Sequence, residues 1–224
     1  MAFDRNAEQI ALNEINAINP SLSKKFVSII SFLMYSPESA PNLRGRNASE
    51  IGSEDYIKKQ AVAFSNSRLS RTPNPPATVP DQMVSVILNE YFGIEESQLS
   101  RITIEHALSM GAENFVGELL ERYLAGVLEP LGWIWCSGSV VKAADFIKRD
   151  SSQWHVLQVK NRDNSENSSS SAIRNGTDIK KWFRTFSRKA GSNWEAFPDD
   201  AAIGLLSESK FIDFTKKYLL DLKR

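Results

Sequence analysis

The strongest constraint on this chain is a change of apolar rhythm at Gly132. Before it, large apolar residues recur at three- and four-residue spacing, the period of an amphipathic helix. After it come short aromatic and β-branched runs of the kind that form strands. A chain with both rhythms must bury helix stripes against a sheet, so the predicted class is α/β.

In the helical half, Ala7 to Ile18 sets Ile10, Ile15 and Ile18 at helical spacing before Pro20. Ser21 to Tyr35 carries a stripe of Phe26, Ile29, Ile30 and Leu33. Ser53 is placed to cap a helix reaching about Phe64. Prolines at 73, 75 and 76 keep Ser65 to Val79 from regular structure, as a surface linker or an arm reaching a partner. Pro80 and Asp81 start another helix through Phe92. Helical pattern resumes over Ser97 to Met110, is interrupted at Gly111, and is strongest over Ala112 to Leu128.

Beyond Gly132, three strands are expected: Trp133 to Val141, Lys142 to Ile147 and Trp154 to Lys160. With Lys148–Gln153 as a turn, they form an antiparallel meander. Thr177 to Lys189 reads as a helix with Ile179, Trp182, Phe183 and Phe186 inward and Lys180, Arg184 and Arg188 on another face. Ala201 to Leu206 reads as a strand, and Phe211, Phe214, Tyr218 and Leu222 mark a final helix. The expected organisation is a mainly helical lobe with loop arms over residues 1–95 and an α/β core over 96–224.

Composition narrows the class. The apolar runs of this 224-residue chain break at charges well short of the ~18 residues a membrane span needs. Its one cysteine, Cys136, excludes an internal disulfide and a multi-cysteine zinc site. The expectation is a soluble cytoplasmic protein. With 27 basic and 27 acidic residues the net charge is zero, which argues against coating nucleic acid nonspecifically. Yet Lys160 to Lys189 holds eight basic residues and three acidic ones, a local +5 that suits an anionic partner or a solvated basic face.

Chemistry concentrates at Asp145 and at Gln158-Val159-Lys160. Gln158 and Lys160 are two apart on a strand and share a face. Asp145, across a short hairpin, can reach the same spot. One carboxylate, one amide oxygen and one ammonium are what phosphodiester hydrolysis asks for. The oxygens suit a hard cation such as Mg²⁺, and the ammonium orients water and stabilises developing negative charge. His106 and His155 show no ligand spacing, and there is no nucleophile elbow or Walker loop.

This arrangement resembles the PD-(D/E)XK nuclease superfamily, with glutamine in the second acidic position. The resemblance implies a helix before the first strand that bears a metal-facing acid. Within Gly117-Glu118-Leu119-Leu120-Glu121, the spacing of Glu121 to Gly132 suits this better, with Glu118 one turn away. The resemblance narrows further. Leu157 through Thr177, Lys181-Trp182-Phe183-Arg184 and Gly117 through Lys142 are similar to the SinI-type restriction endonucleases.

That resemblance implies a restriction-endonuclease-like core, a mixed central sheet flanked by helices. It further implies Mg²⁺-dependent cutting of double-stranded DNA at GGWCC with 5′ overhangs, and a cognate DNA methyltransferase. Metal ligation would fall to Glu121, Asp145, the Gln158 side chain and the Val159 carbonyl, with Lys160 positioning water. In the Asn/Ser-rich tract from Asn161 to Gly176, Arg174 and Asn175 are the leading base-reading candidates, followed by Arg162, since Arg can bridge a guanine edge and Asn an adenine edge. Lys180, Lys181, Arg184 and Arg188 are candidates for phosphate contact. A twofold-related target implies a homodimer.

Overall fold

The structure is a computed structural model that describes residues 3–164 and 178–223. Packing divides the chain into two compact units, Met1–Ser70 with Glu121–Arg224, and Arg71–Leu120.

The first unit opens with helices α1 (Ala7–Ile18), α2 (Ser23–Tyr35) and α3 (Glu54–Asn66). Ser53 caps α3 through a side-chain oxygen that accepts from the Tyr56 amide. Their apolar stripes meet in one core containing Ile15, Phe26, Ile29, Ile30, Leu33, Tyr56, Ile57 and Phe64. Burying side chains of this size stabilises by roughly 1.5–3 kcal/mol each. Cys136, Val140, Val141 and Ile147 join the same core.

The sheet comprises β1 (Trp133–Trp135), β2 (Phe146–Asp150), β3 (Gln153–Arg162) and β4 (Lys180–Thr185), in that spatial order. The first three strands form the expected antiparallel meander, and β4 runs parallel to β3, making the sheet mixed. Ile134, Ile147 and Val156 stand in one cross-strand row, so they share the face that packs on the α1–α3 core. Trp135, Phe146, Leu157 and Val159 face the other way. Trp182, the register partner of Val159, packs there on Trp194 and Phe197, with centroids 5.1 Å apart in each pair. The last helix, α6 (Glu208–Asp221), adds Phe211, 5.4 Å from Tyr123.

Several expectations are corrected. The helix expected over Thr177 to Lys189 is not formed by its described residues, 178–189; within them Lys180–Thr185 is strand β4. Trp182, Phe183 and Phe186 fit helical spacing, but pairing with β3 buries Trp182 and satisfies the backbone, and aromatic residues suit that pleated surface. Ala201 to Leu206 is a run of turns rather than a strand, with Gly204 at φ +84°. The strand expected over Trp133 to Val141 stops at Trp135. The one expected over Lys142 to Ile147 begins at Phe146 and runs on to Asp150, so the turn is confined to Ser151 and Ser152.

The second unit contains α4 (Gln82–Glu90), capped by an Asp81 carboxylate that accepts from the Met83 amide. It also contains the start of α5, an unbroken helix from Glu96 to Leu128. Gly111 therefore does not interrupt the helix. Its missing side chain serves packing, since a Cβ there would lie 3.0 Å from the Asn74 carbonyl oxygen and from Pro75.

Within the first unit, an ionic cluster ties separate elements together. Glu129 accepts from Lys25 of α2 at 2.5 Å and from Arg68, just beyond α3, at 2.8 Å. Arg68 also donates to the Trp135 carbonyl at 2.9 Å and lies over the Phe64 ring. Burial pushes the Glu129 carboxyl up, but its hydrogen bonds and charge attraction with Arg68 and Lys25 outweigh this and hold it below the usual carboxylate range. Its contribution to stability is thus present above the unfolded-state pKa and lost as pH falls through the depressed folded value. Glu129→Gln should cost about 3 kcal/mol near neutral pH, because it strands two cations. Denaturant unfolding followed against pH should show that gap closing in acid.

Candidate active site

The path from β1 to Asp145 is fixed by the α1–α3 core. The Ser137 hydroxyl donates to the Phe64 carbonyl at 2.9 Å in a buried setting. At Gly138, φ is +80° and a Cβ would lie 2.5 Å from the Ala63 carbonyl oxygen, so only glycine fits. The Lys142 amide donates to the Ser39 carbonyl at 2.8 Å and its ammonium to the Glu38 carbonyl at 3.1 Å. This loop delivers Asp145 to the head of β2.

Asp145 is bonded on both flanks. Its amide donates to the Leu157 carbonyl at 2.9 Å, and its carbonyl accepts from the Cys136 amide at 2.8 Å. Its side-chain Oδ2 accepts from the Val159 amide at 2.6 Å. The carboxylate is therefore clamped to the middle residue of Gln158-Val159-Lys160. Burial raises its pKa, while the Val159 hydrogen bond and the Lys160 charge act to lower it. Gln158 is 2% exposed and Lys160 is half-buried. Alternation along β3 puts both on one face, and Lys181 of β4 is the register partner of Gln158.

Glu121, on α5, accepts from the Trp135 indole N–H at 2.9 Å. Burial pushes the Cys136 thiol well up, helped by the negative charges of Asp145 and Glu121.

Residues 7–221 match the SinI restriction endonuclease family. The chain is 52% identical over 224 residues to the type II restriction enzyme Eco47I of Escherichia coli, covering 99% of this chain and 97% of that enzyme. It is 51% identical, with the same coverage, to the type II restriction enzyme SinI of Salmonella infantis. This chain belongs to the SinI restriction endonuclease family. Membership of that family makes it a nuclease, a hydrolase of phosphodiester bonds.

In this restriction endonuclease, Asp145 is the carboxylate bonded to the β3 main chain. Among the described residues, no group of three or more His, Cys, Asp and Glu side chains gathers. A cation here would thus depend on amide and main-chain oxygens beside the carboxylates. Glu121, Asp145, Gln158 and the Val159 carbonyl offer oxygens only, which fits a hard divalent ion.

The DNA-contact candidates separate. Arg162, Lys180 and Arg188 are exposed, and Lys181 is half-buried beside Gln158. Arg184 is drawn inward: it pairs with Glu208, donates to the Asn161 side chain at 3.0 Å and stacks on Phe211. Arg174 and Asn175 lie outside the described residues. Arg68, in the segment read as a surface linker or an arm reaching a partner, is instead half-buried and belongs to the Glu129 cluster. The sequence did not single out Cys136 or the Trp135 indole as neighbours of the two acids. Trp135 shares a strand face with Trp133, but neither it nor Cys136 carried a signal of what it touches.

Two outcomes follow from this geometry. Gly138→Ala should lower stability by about 2 kcal/mol and weaken cleavage together, since the loop must shift to admit the methyl group. Burial raises the Asp145 pKa, so its ionised form opposes folding above that raised value and the opposition fades as pH falls. Asp145→Asn keeps an acceptor for the Val159 amide. In chelator at neutral pH its melting temperature should equal or exceed that of the parent, with the difference shrinking in acid, while cleavage is lost.

Proposed function

We propose that this protein is a Mg²⁺-dependent type II restriction endonuclease that hydrolyses both strands of double-stranded DNA at a short palindromic site, GGWCC, and leaves 5′-phosphates. In this reading it acts in the cytoplasm as a homodimer, alongside a methyltransferase that protects the same site. The observation that carries it is the 2.6 Å hydrogen bond from the Val159 amide to Asp145, which ties a carboxylate to the strand bearing Gln158 and Lys160. Among the described residues no helix is long and apolar enough to cross a membrane.

In this reading Glu121, Asp145, the Gln158 side chain and the Val159 carbonyl would hold the ion. Held there, Mg²⁺ would supply polarisation of the phosphate and easier deprotonation of water. The chain's own residues supply position and charge. Asp145 is held in place by the Val159 amide, and this removes rotamer freedom that a surface acid would keep. Lys160 orients the attacking water and offsets the charge that grows on the phosphate oxygens. The phosphorus–O3′ bond breaks, leaving a 3′-hydroxyl and a 5′-phosphate. Gln158 in place of a second strand acid leaves the site one negative charge poorer, which makes Glu121 more necessary. Arg174, Asn175 and Arg162 would read base edges, while Lys180, Lys181 and Arg188 would steady the backbone.

Lys160→Ala should reduce cleavage at least ~100-fold while changing DNA affinity less than ~10-fold. Undiminished cleavage in that variant would remove Lys160 from the site. Plasmid digestion with and without Mg²⁺, followed by end mapping, tests the whole reading. The expected result is metal-dependent cutting with every end at GGWCC. Scattered ends would reject the site specificity, and binding without cutting would make the protein a DNA-binding module.

A further inference from the structure

The unit Arg71–Leu120 carries a broad apolar surface. No side chain of α4 is buried. Val84 and Ile87 are each 54% exposed, Tyr91 82% and Phe92 64%, and on α5 Ile104 is 62% and Leu108 55% exposed. Between α4 and α5 runs a groove of about 480 Å³, with Val84, Leu88 and Met110 in its walls. A nine-residue helix is marginal by itself in water, and helices apolar on more than one side belong in a packed interior. Ten large apolar residues of this unit are exposed. Partly exposed side chains of this size offer on the order of 100 Å² each, so the total exceeds the ~300–600 Å² of the largest patch on an ordinary monomer. It is comparable with the ~800 Å² that one partner contributes to a stable interface.

Charge limits what can cover this surface. The unit has two basic residues, Arg71 and Arg101, against seven acidic ones. DNA phosphates are repelled by that balance. The chain also holds a single set of Asp145, Gln158 and Lys160, so cutting two strands calls for a second set. An apolar face is complementary to itself across a twofold axis, whereas a face of one charge sign is not. We propose that α4 and the amino-terminal part of α5 form the contact between two copies of this chain. The choice of a second copy rests on the two-strand cutting reading above. Glu90, Glu95 and Glu96 beside the apolar residues repel across the axis, so added salt should tighten this contact rather than loosen it.

Sedimentation of the full-length chain over a range of concentrations, at low and high salt, tests this. A dimer is expected whose dissociation constant does not rise with salt. Ile87→Glu and Leu108→Glu should each weaken it at least ~10-fold, with helix content by circular dichroism unchanged. Hydrogen exchange on the unmodified chain is the check that needs no variant: amides of α4 should slow as protein concentration rises. A monomer at every concentration overturns the proposal, as does a dimer indifferent to both substitutions. Exchange in α4 that ignores concentration, or that slows only when DNA is added to a monomer, also overturns it. Plasmid digestion keeps the two ideas apart. Two-strand cutting by a dimer that survives the substitutions rejects this interface alone, and a wild-type dimer that cuts nothing rejects the nuclease reading alone.

Discussion

A main-chain amide on β3 holds the Asp145 carboxylate, around which the proposed site is arranged. The Val159 N–H reaches Oδ2 of Asp145 at 2.6 Å, a bond between a neutral donor and a charged acceptor that contributes about 1.5–3 kcal/mol. Burial of that carboxyl works against it, since taking an anion from water costs more than one hydrogen bond returns. The Lys160 charge narrows the deficit. What remains is a carboxyl more easily protonated than an exposed one, a condition that a divalent cation would reverse by favouring the anion. The site is built at some cost to the apo fold, and the surrounding structure must supply the difference.

That supply comes from the helices. α1, α2 and α3 form the larger part of the core shared with Cys136, Val140, Val141 and Ile147. The loop between β1 and β2 is bonded to α3 at Ser137, pressed on it at Gly138 and bonded at Lys142 to Glu38 and Ser39, which follow α2. An acid outside a strand would ordinarily sample many rotamers. Here each turn of its approach is fixed by an element distant in sequence. The Lys25–Glu129–Arg68 cluster acts in the same sense on β1, because Arg68 also holds the Trp135 carbonyl. Stability and the geometry of the proposed site thus draw on the same contacts.

What was legible in the sequence follows from the range of the interactions concerned. Helices α1, α2, α3 and α4 announced themselves through local pattern and local caps, with Ser53 and Asp81 both bonding where a cap should. The hairpin of β2 and β3 was legible because a short polar turn separates two apolar runs, and with it the nearness of Asp145 to Gln158 and Lys160. Strand β4 was not. Its partner β3 lies across residues 165–177, and its aromatic residues satisfy a helical period as well as a strand one. Gly111 misled because local propensity counts glycine as a breaker, while its reason is the Asn74–Pro75 backbone that crosses it. The Asp145 bond partner was hidden in principle, since every residue but proline has an amide and no side chain marks the one that will be used.

The correction at β4 changes what its basic residues can do. On a helix, Lys180, Arg184 and Arg188 would line one side and meet a phosphate track together. On a strand, adjacent residues point to opposite faces: Lys181 goes to the face of Gln158, while Lys180 and Arg184 share the opposite face with Trp182. There Arg184 is neutralised by Glu208 and stacked on Phe211, which makes it a fastener between β4 and α6. Lys189 lies with its ammonium 3.9 Å from the Phe186 ring centroid, a contact of about 0.5–1 kcal/mol at an exposed site. A count of charges along residues 160–189 therefore overstates the positive field DNA would meet. In the proposed DNA-contact role, this segment would draw its affinity from fewer cations, those at its exposed ends and the one beside Gln158, and with fewer phosphate contacts the salt dependence of binding should be correspondingly shallow.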